Sequence, residues 1–225
     1  MKRPLLLFFA ALAAAGLAYA PQLIFGAPLE STMGFVQKIF YFHVPSAFMT
    51  FLGAFVSAFG AIWYLANGSP RGDRLAVAGA ELTVLFGLCV LVTGPLWARK
   101  AWGTYWRWDV RLTTSLLLWM IFLAYLFARR YGGAGAKRLS AGLAVFGAAD
   151  VPLIYISVSI WRSIHPKTTV VSTLGPGMRG PFWFCVGTFL FLFLVLLELR
   201  LQLERSRARL DELHLAVEDH LDGNS

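Results

Sequence analysis

Apolar residues dominate six long stretches of the chain, and polar residues gather in the gaps between them. The stretches cover residues 5–25, 46–66, 75–96, 113–130, 139–159 and 182–199. Each is close to the ~20 helical residues that are needed to cross the apolar core of a bilayer. Most are apolar on every side, which is typical of helices that face lipid or the interior of a bundle. The pattern predicts an all-α integral membrane protein with six transmembrane helices.

The gaps fall into two kinds that alternate along the chain. Residues 67–74 (NGSPRGDR) and 129–138 (RRYGGAGAKR) are short and polar, and they are typical of plain turns. Residues 26–45, 97–112 and 160–181 are longer and rich in aromatic side chains. Successive gaps lie on opposite sides of the membrane, so the three aromatic loops are predicted to share one side. Residues 1–199 are therefore predicted to form one membrane domain.

Both ends of the chain have features of their own. The first stretch ends in Ala18, Tyr19 and Ala20, which resembles a signal-peptide cleavage site. Pro21 fits poorly after such a site, and the apolar stretch continues to Phe25, so we predict a retained first helix. Residues 200–225 are predicted to form a cytoplasmic amphipathic helix that continues the last span or lies near the membrane surface. Apolar residues follow a 3-4 spacing from the end of the last span into this segment, interrupted at Ser206: Leu196, Leu199, Leu203, Leu210, Leu213 and Val217.

Composition and charge agree with a membrane location and indicate an orientation. The chain is 58% hydrophobic and only 14% charged, with a net charge of +8, whereas a soluble domain carries about a quarter charged residues. Lys and Arg concentrate in cytoplasmic loops. The side with both termini carries twelve of them: Lys2, Arg3, Arg71, Arg74, Arg129, Arg130, Lys137, Arg138, Arg200, Arg205, Arg207 and Arg209. The aromatic side carries eight: Lys38, Arg99, Lys100, Arg107, Arg111, Arg162, Lys167 and Arg179. Both termini are therefore predicted to be cytoplasmic, and the basic residues of the aromatic side need a separate reason.

The second aromatic loop contains three tryptophans within seven residues, in the segment WGTYWRWDVR from Trp102 to Arg111. If this segment is helical, the spacing i, i+3, i+4 and i+7 places four of its side chains on one face, namely Trp102, Tyr105, Trp106 and Asp109. Two interpretations are open. The aromatic residues form either a belt at the membrane interface or a platform for a flat, mostly apolar ligand. In the second case the nearby cations would meet anionic groups of that ligand: Arg99, Lys100, Arg107 and Arg111.

Two of the four histidines lie in the aromatic loops that flank this segment. His43 is followed closely by Pro45, and His165 directly by Pro166, which stiffens the chain at both places. Neutral imidazole is a good axial ligand for iron. A platform, two imidazoles and guanidinium groups together fit haem. Cys89 and Cys185 lie apart within apolar stretches, and without a CxxCH motif no covalent haem attachment is expected.

The same residues resemble a known family. The segment Trp102–Asp109 resembles the WGxxWxWD signature of the tryptophan-rich (WWD) haem-handling proteins of cytochrome c maturation. The sequence YFHVP at residues 41–45, the six spans and the short length resemble the branch called haem exporter protein C (CcmC). The resemblance covers residues 20–200 approximately.

The resemblance implies a multi-pass protein of the bacterial inner membrane that binds non-covalent haem b at its periplasmic face. By motif match, His43 and His165 would be the axial ligands of the iron. The protein would pass haem to the haem chaperone CcmE, working with CcmD and the ABC-type pair CcmA–CcmB. The remaining site residues are predicted to pack on the macrocycle (Trp102, Tyr105, Trp106, Trp108), to orient the loop (Asp109) and to meet a propionate (Arg111, with Arg107 behind it).

Other functions predict different patterns. A b-type cytochrome that exchanges electrons with a quinone usually needs histidines within its spans, and the predicted spans contain none. A channel or permease predicts polar residues along several spans, and only Asp150 and Glu81 qualify. Asp150 is expected to be protonated or bonded to backbone groups freed by Pro152, or else to serve a path or partner. No catalytic acid–base pair is recognisable, so the chain is not expected to be an enzyme.

Overall fold

The computed structural model describes residues 3–161, 163–166 and 170–222. Within them the chain forms six long α-helices, which we number α1 (Arg3–Gly26), α2 (Phe40–Asn67), α3 (Pro70–Trp102), α4 (Val110–Tyr131), α5 (Ala136–Ile160) and α6 (Arg179–Asp222). Short 3-10 turns precede α2 and α5, at Phe35–Ile39 and Gly133–Gly135. All six helices are long and apolar enough to cross a membrane. The prediction of an all-α membrane protein with six transmembrane helices is confirmed.

The turn between α2 and α3 follows from local chemistry. Gly68 ends α2 in a left-handed conformation with φ 70°, which glycine adopts without steric cost. Ser69 caps the next helix because its side chain accepts a hydrogen bond from the backbone N–H of Gly72. Pro70 occupies the first position of α3, where its missing N–H costs nothing. Residues 67–70 therefore reverse the chain sharply.

Small residues let α2 and α3 approach each other closely. A Cβ added to Gly60 would lie 2.5 Å from the backbone nitrogen of Ala76, and one added to Gly79 would lie 2.5 Å from that of Ser57. The Ser57 hydroxyl donates a 2.8 Å hydrogen bond to the Ala76 carbonyl. Small residues at such contacts are how membrane helices gain van der Waals packing without a hydrophobic driving force. The two helices therefore form a closely packed pair.

The helices extend beyond the apolar stretches at both ends of the bundle. All three aromatic loops are shorter than predicted. The connections 27–39 and 103–109 replace the predicted 26–45 and 97–112, and α5 ends at Ile160 and α6 begins at Arg179, within the predicted third loop 160–181. The physical reason is that hydropathy follows lipid thickness, whereas helices end where caps and glycines end them. As a consequence His43 lies in the first turn of α2, with Pro45 just inside the helix, and not in a loop. We call the end of the bundle formed by residues 27–39, 103–109, 161, 163–166 and 170–178 the histidine face, and the opposite end, where α1 begins, the terminal face.

Ion pairs join the helices on the terminal half of the bundle. Arg129 of α4 donates two hydrogen bonds, of 2.9 and 3.0 Å, to the Asp73 carboxylate of α3. Arg200 of α6 pairs with both carboxylate oxygens of Glu81. Glu81 therefore has a charged partner on a neighbouring helix. Asp150 is buried, and its Oδ2 has no hydrogen-bond partner among the residues described, so the expected bonds to backbone groups near Pro152 do not engage this oxygen.

The last helix is twice as long as a bilayer requires. Its 44 residues from Arg179 to Asp222 correspond to about 66 Å of continuous helix. The predicted apolar side chains of the tail are exposed, among them Leu203, Leu210 and Leu213. The tail thus continues the last span as one rod, past the terminal face.

Candidate functional site

The histidine face contains two adjoining cavities. The smaller has a volume of about 90 Å³ and the larger about 390 Å³, and the larger is within the usual range for small-molecule sites. Both are mainly apolar. Six residues line both cavities: His43, Ala47, Phe51, Trp97, Arg111 and His165. Two histidines that are 122 positions apart in sequence therefore meet at one place.

His43 is held in a defined tautomer by α3. Its Nδ1 lies 2.9 Å from the Thr93 hydroxyl, and that hydroxyl donates its only hydrogen to the Cys89 carbonyl at 2.7 Å. The Thr93 oxygen must therefore accept, and Nδ1–H of His43 donates. This leaves the lone pair on Nε2 free for a ligand. Gly94 makes room for the ring, because an added Cβ there would lie 3.2 Å from the His43 Cε1.

His165 reaches the same protonation state by a different route. Its Nδ1 lies 2.9 Å from the Pro166 carbonyl, which can only accept, so Nδ1–H donates and Nε2 keeps its lone pair. Burial, together with the nearby positive charge of Arg111, lowers the pKa of His165 to about 3. The imidazole is therefore neutral at physiological pH, which is the form that binds metals.

Indole rings border the cavities on the α3 side. Trp102, the last residue of α3, meets Trp97 edge to face at a centroid distance of 4.9 Å and the His165 ring at 6.4 Å. Trp106 lines the smaller cavity, and its buried Nε1–H has no hydrogen-bond partner among the described residues. A buried donor without a partner is costly. It is therefore the kind of group that a polar atom of a bound ligand would satisfy.

The prediction that Trp102, Tyr105, Trp106 and Asp109 share one helical face is wrong. Gly103 ends α3 in a left-handed conformation with φ 75°, and residues 103–109 are not helical. Tyr105, Arg107 and Trp108 are exposed and line neither cavity, and Trp108 is 77% exposed. The Trp108 ring meets the Trp106 ring edge to face at 5.7 Å.

Asp109 connects the second and third loops. One carboxylate oxygen accepts from the backbone N–H of Leu112 at 2.8 Å, which caps α4. The other oxygen accepts from the Ser163 hydroxyl at 2.5 Å and from the backbone N–H of Ile164 at 3.2 Å. Asp109 therefore connects the start of α4 to the chain just before His165 by accepting hydrogen bonds from both.

Among the predicted anion-binding cations, only Arg111 lines the cavities. Its Nη1 donates to the Ile154 carbonyl at 3.4 Å, which brings α4 to α5. Other basic residues of the histidine face hold the loops and helix ends by donating hydrogen bonds to nearby backbone carbonyls. These pairs are Lys38 with Ala27, Arg99 with Gly103 and Arg179 with Leu174. Arg99 also lies over the Tyr105 ring at 5.7 Å. Arg162 and Lys167 lie outside the described residues, as does Lys2 on the opposite side.

Two site residues escaped the sequence analysis. Trp97 lines both cavities, and Thr93 sets the tautomer of His43. The sequence does contain a signal for Trp97, because this residue begins the predicted aromatic loop 97–112. No local signal identified Thr93, because its contact joins residues 50 positions apart.

Fold and site together define a polytopic helical membrane protein with a paired-histidine, tryptophan-bordered cavity at one end of its bundle. The chain matches the model of the family described as heme exporter protein C over residues 1–216. It belongs to that family, as its resemblance predicted.

Curated relatives agree with this membership. The chain is 33% identical over 158 residues to heme exporter protein C of Bradyrhizobium diazoefficiens, an alignment that covers 69% of this chain and 60% of the relative. It is 31% identical over 176 residues to heme exporter protein C of Escherichia coli K12, covering 73% and 68%. A mitochondrial ccmC-like protein of Marchantia polymorpha, named for cytochrome c biosynthesis, is 33% identical over 147 residues, covering 65% and 63%. The matched region is thus about three fifths to two thirds of these relatives.

Proposed function

We propose that this protein binds haem at the histidine face and transfers it to the haem chaperone CcmE for cytochrome c maturation. The observation that carries the proposal is the pair of histidines at one cavity, each with Nδ1–H engaged and Nε2 free. Within the described residues, no three His, Cys, Asp or Glu side chains converge on a point. Two neutral imidazoles suit a metal whose other ligands belong to a macrocycle. The names of the relatives, heme exporter protein C, point the same way.

The cavity residues have complementary roles in this proposal. His43 and His165 are the axial ligands, and Trp102 and Trp106 pack on the macrocycle together with Trp97. Arg111 meets a propionate in this proposal, which its position in the lining of both cavities beside the histidines supports. A role for Tyr105, Arg107 and Trp108 in haem binding stays a prediction, and these three exposed residues would act at the rim. Haem here is the transported molecule, held without a covalent bond, and no enzymatic step is proposed.

The location and partners are part of the same proposal. The histidine face would lie in the periplasm of a bacterium and the terminal face in the cytoplasm, as the distribution of Lys and Arg favours. CcmD and the ABC-type pair CcmA–CcmB are the proposed membrane partners. A periplasmic histidine face would present haem directly to a periplasmic acceptor.

The test is haem content and absorption spectrum of the purified protein after His43→Ala or His165→Ala. Each change is expected to abolish the low-spin spectrum of two axial imidazoles and to lower haem content. His214→Ala is the matched control, since His214 is exposed on the tail of α6. Unchanged haem content and spectrum in both site variants would refute the ligand assignment. The amount of haem-loaded CcmE in cells then tests transfer separately from binding.

One observation favours a second candidate, a b-type cytochrome redox subunit. The premise that no histidine lies within a spanning helix is wrong for His43, which belongs to α2. A redox subunit would retain its haem while it exchanged electrons with a quinone. The two functions separate on one measurement: incubation with apo-CcmE depletes haem from a transfer protein and leaves a cytochrome loaded.

A further inference from the structure

A basic groove lies at the terminal face, far from the histidines. It runs between the α2–α3 turn and the part of α6 that passes it, with a volume of about 650 Å³. Four arginines line it: Arg71 and Arg74 from the first turn and a half of α3, and Arg205 and Arg209 from α6. Glu212 is the one carboxylate among its lining residues, which leaves a net charge of +3. We call this set the arginine groove.

The charge of the arginine groove is not neutralised within the described part of the chain. Ion pairs engage other cations of this face, Arg129 with Asp73 and Arg207 with Glu204. No described carboxylate pairs with Arg71, Arg74 or Arg209, and Arg205 has only a 4.0 Å contact with Glu198. Arg71 and Arg74 also lie at the positive end of the α3 dipole, where cations are unfavourable. Four convergent guanidinium groups under these conditions favour an anion between them.

An apolar surface continues from the arginine groove along α2. Trp63 lines the groove and also a second hollow of about 360 Å³, whose other lining residues are Phe59, Ile62 and Ala66. Phe59 is 64% exposed and Ile62 54% exposed. We call this hollow the apolar furrow. Tryptophan favours the level of the lipid headgroups, so Trp63 marks the boundary where an anionic group and an acyl chain of one molecule would meet.

We infer that the arginine groove and the apolar furrow together bind one anionic phospholipid. Its phosphate would lie among Arg71, Arg74, Arg205 and Arg209, and an acyl chain would follow Phe59 and Ile62. Basic pockets beside transmembrane helices are suited to such headgroups. A free phosphate would leave the apolar furrow unused, and an acidic peptide would not require an apolar surface on the lipid side. This inference does not depend on haem binding.

The experiment measures lipid binding by native mass spectrometry on the purified full-length chain in detergent. The probes are phosphatidylglycerol, phosphatidylcholine with the same acyl chains, and glycerol phosphate, which has no chains. Wild-type protein is expected to prefer phosphatidylglycerol over phosphatidylcholine. Replacing Arg71 and Arg209 by Gln should weaken phosphatidylglycerol binding by about tenfold or more. Both side chains are exposed, so the variant is expected to fold.

The matched control replaces Arg130 and Arg138 by Gln, which removes the same charge from exposed positions of the same face outside the groove. This control is expected to bind phosphatidylglycerol with an affinity within about twofold of that of the wild type.

Replacing Phe59 and Ile62 by Ala should weaken lipid binding while leaving the binding of glycerol phosphate unaffected. If the groove variant and the control lose the same affinity for phosphatidylglycerol, the effect comes from general surface charge and the proposed site is overturned. Equal affinity for glycerol phosphate and the intact lipid would overturn the role of the apolar furrow. An unchanged lipid affinity in the groove variant would overturn the proposed phospholipid site.

Discussion

At the scale of single residues, the site depends on hydrogen bonds that fix which nitrogen of each histidine is free. The Thr93 hydroxyl fixes that of His43, and the Pro166 carbonyl fixes that of His165. Partners of this kind orient metal-ligating imidazoles and raise their affinity. The chemistry of the site therefore extends one contact beyond the residues that face the cavity.

Thr93→Val tests this contribution. The substitution keeps the shape of the side chain and removes the oxygen that accepts from the His43 Nδ1–H. We expect haem affinity to fall by roughly tenfold, with little change in melting temperature. Thr93→Ser, which keeps the hydroxyl, should restore most of the affinity. Haem titration of both variants provides the measurement, and equal affinity of the Val and Ser variants would contradict the role assigned to Thr93.

The two histidines and Arg111 could be proposed as site residues from the sequence alone, because few side-chain types bind iron or pair with a carboxylate. Their geometry was not predictable in the same way. The tautomer of His43 rests on a contact between α2 and α3, across 50 positions. Such a contact leaves no periodic or local mark in the sequence. The position of Trp97 at the cavities could not be predicted for a related reason, because it depends on where α3 ends.

At the scale of elements, the tryptophan segment behaves as two helix ends joined by seven extended or turning residues. The helical interpretation placed Trp102, Tyr105, Trp106 and Asp109 on one face by the 3.6-residue period of an α-helix. This period does not apply to residues 103–109, which are not helical. Gly103 stops α3 immediately after Trp102, and Asp109 starts α4. Both signals, a glycine at a C-terminus and an aspartate at an N-cap, are present in the sequence and oppose the helical interpretation.

Asp109→Ala should have effects on stability and on the site together. It removes the cap of α4 and releases the chain that precedes His165, so we expect the free energy of unfolding to fall by about 2 kcal/mol. Haem content should fall as well. Ser69→Ala is the comparison, since it removes the cap of α3 at the terminal face. Its expected cost is up to about 1 kcal/mol without loss of haem. A normal haem content in Asp109→Ala would contradict the role of this carboxylate in positioning the third loop.

At the scale of the whole molecule, the Asp73–Arg129 pair holds the terminal half of the bundle together. The two side chains are only 12% and 19% exposed, and Lys137 lies 3.8 Å from the same carboxylate. Arg129→Gln leaves a largely buried carboxylate without its main partner, so we expect a loss of about 3 kcal/mol in unfolding free energy. Denaturation of Arg130→Gln, an exposed neighbour, should show a change below about 0.5 kcal/mol. The double variant with Asp73→Asn and Arg129→Gln should lose less unfolding free energy than Arg129→Gln alone. A loss in the double variant equal to the sum of the two single losses would show that the two side chains are not coupled.

The orientation of the bundle gives a prediction at the same scale. In a background with Cys89 and Cys185 replaced by Ser, Ser31→Cys places a thiol on the histidine face and Asn67→Cys one on the terminal face. Both positions are exposed. A membrane-impermeant maleimide should label the first in intact cells and the second only after lysis. The reverse labelling pattern would place the histidine face in the cytoplasm.

The six spans were predictable because each must present an apolar surface to lipid over a fixed thickness. The pairing of those spans was not. The close contact of α2 and α3 depends on glycines such as Gly60 and Gly79, which hydropathy treats as neutral spacers. The Glu81–Arg200 pair joins residues 119 positions apart and likewise has no local signature.

The close packing of α2 against α3 makes the two sides of the cavity mechanically unequal. His43 and Thr93 belong to that pair, so the imidazole of His43 moves only if two interlocked rods move with it. His165 lies outside the helices, in a connection that the Asp109 carboxylate holds by two hydrogen bonds. We therefore expect a ligand bound between the two rings to leave by movement of the His165 side, while the His43 side keeps its position.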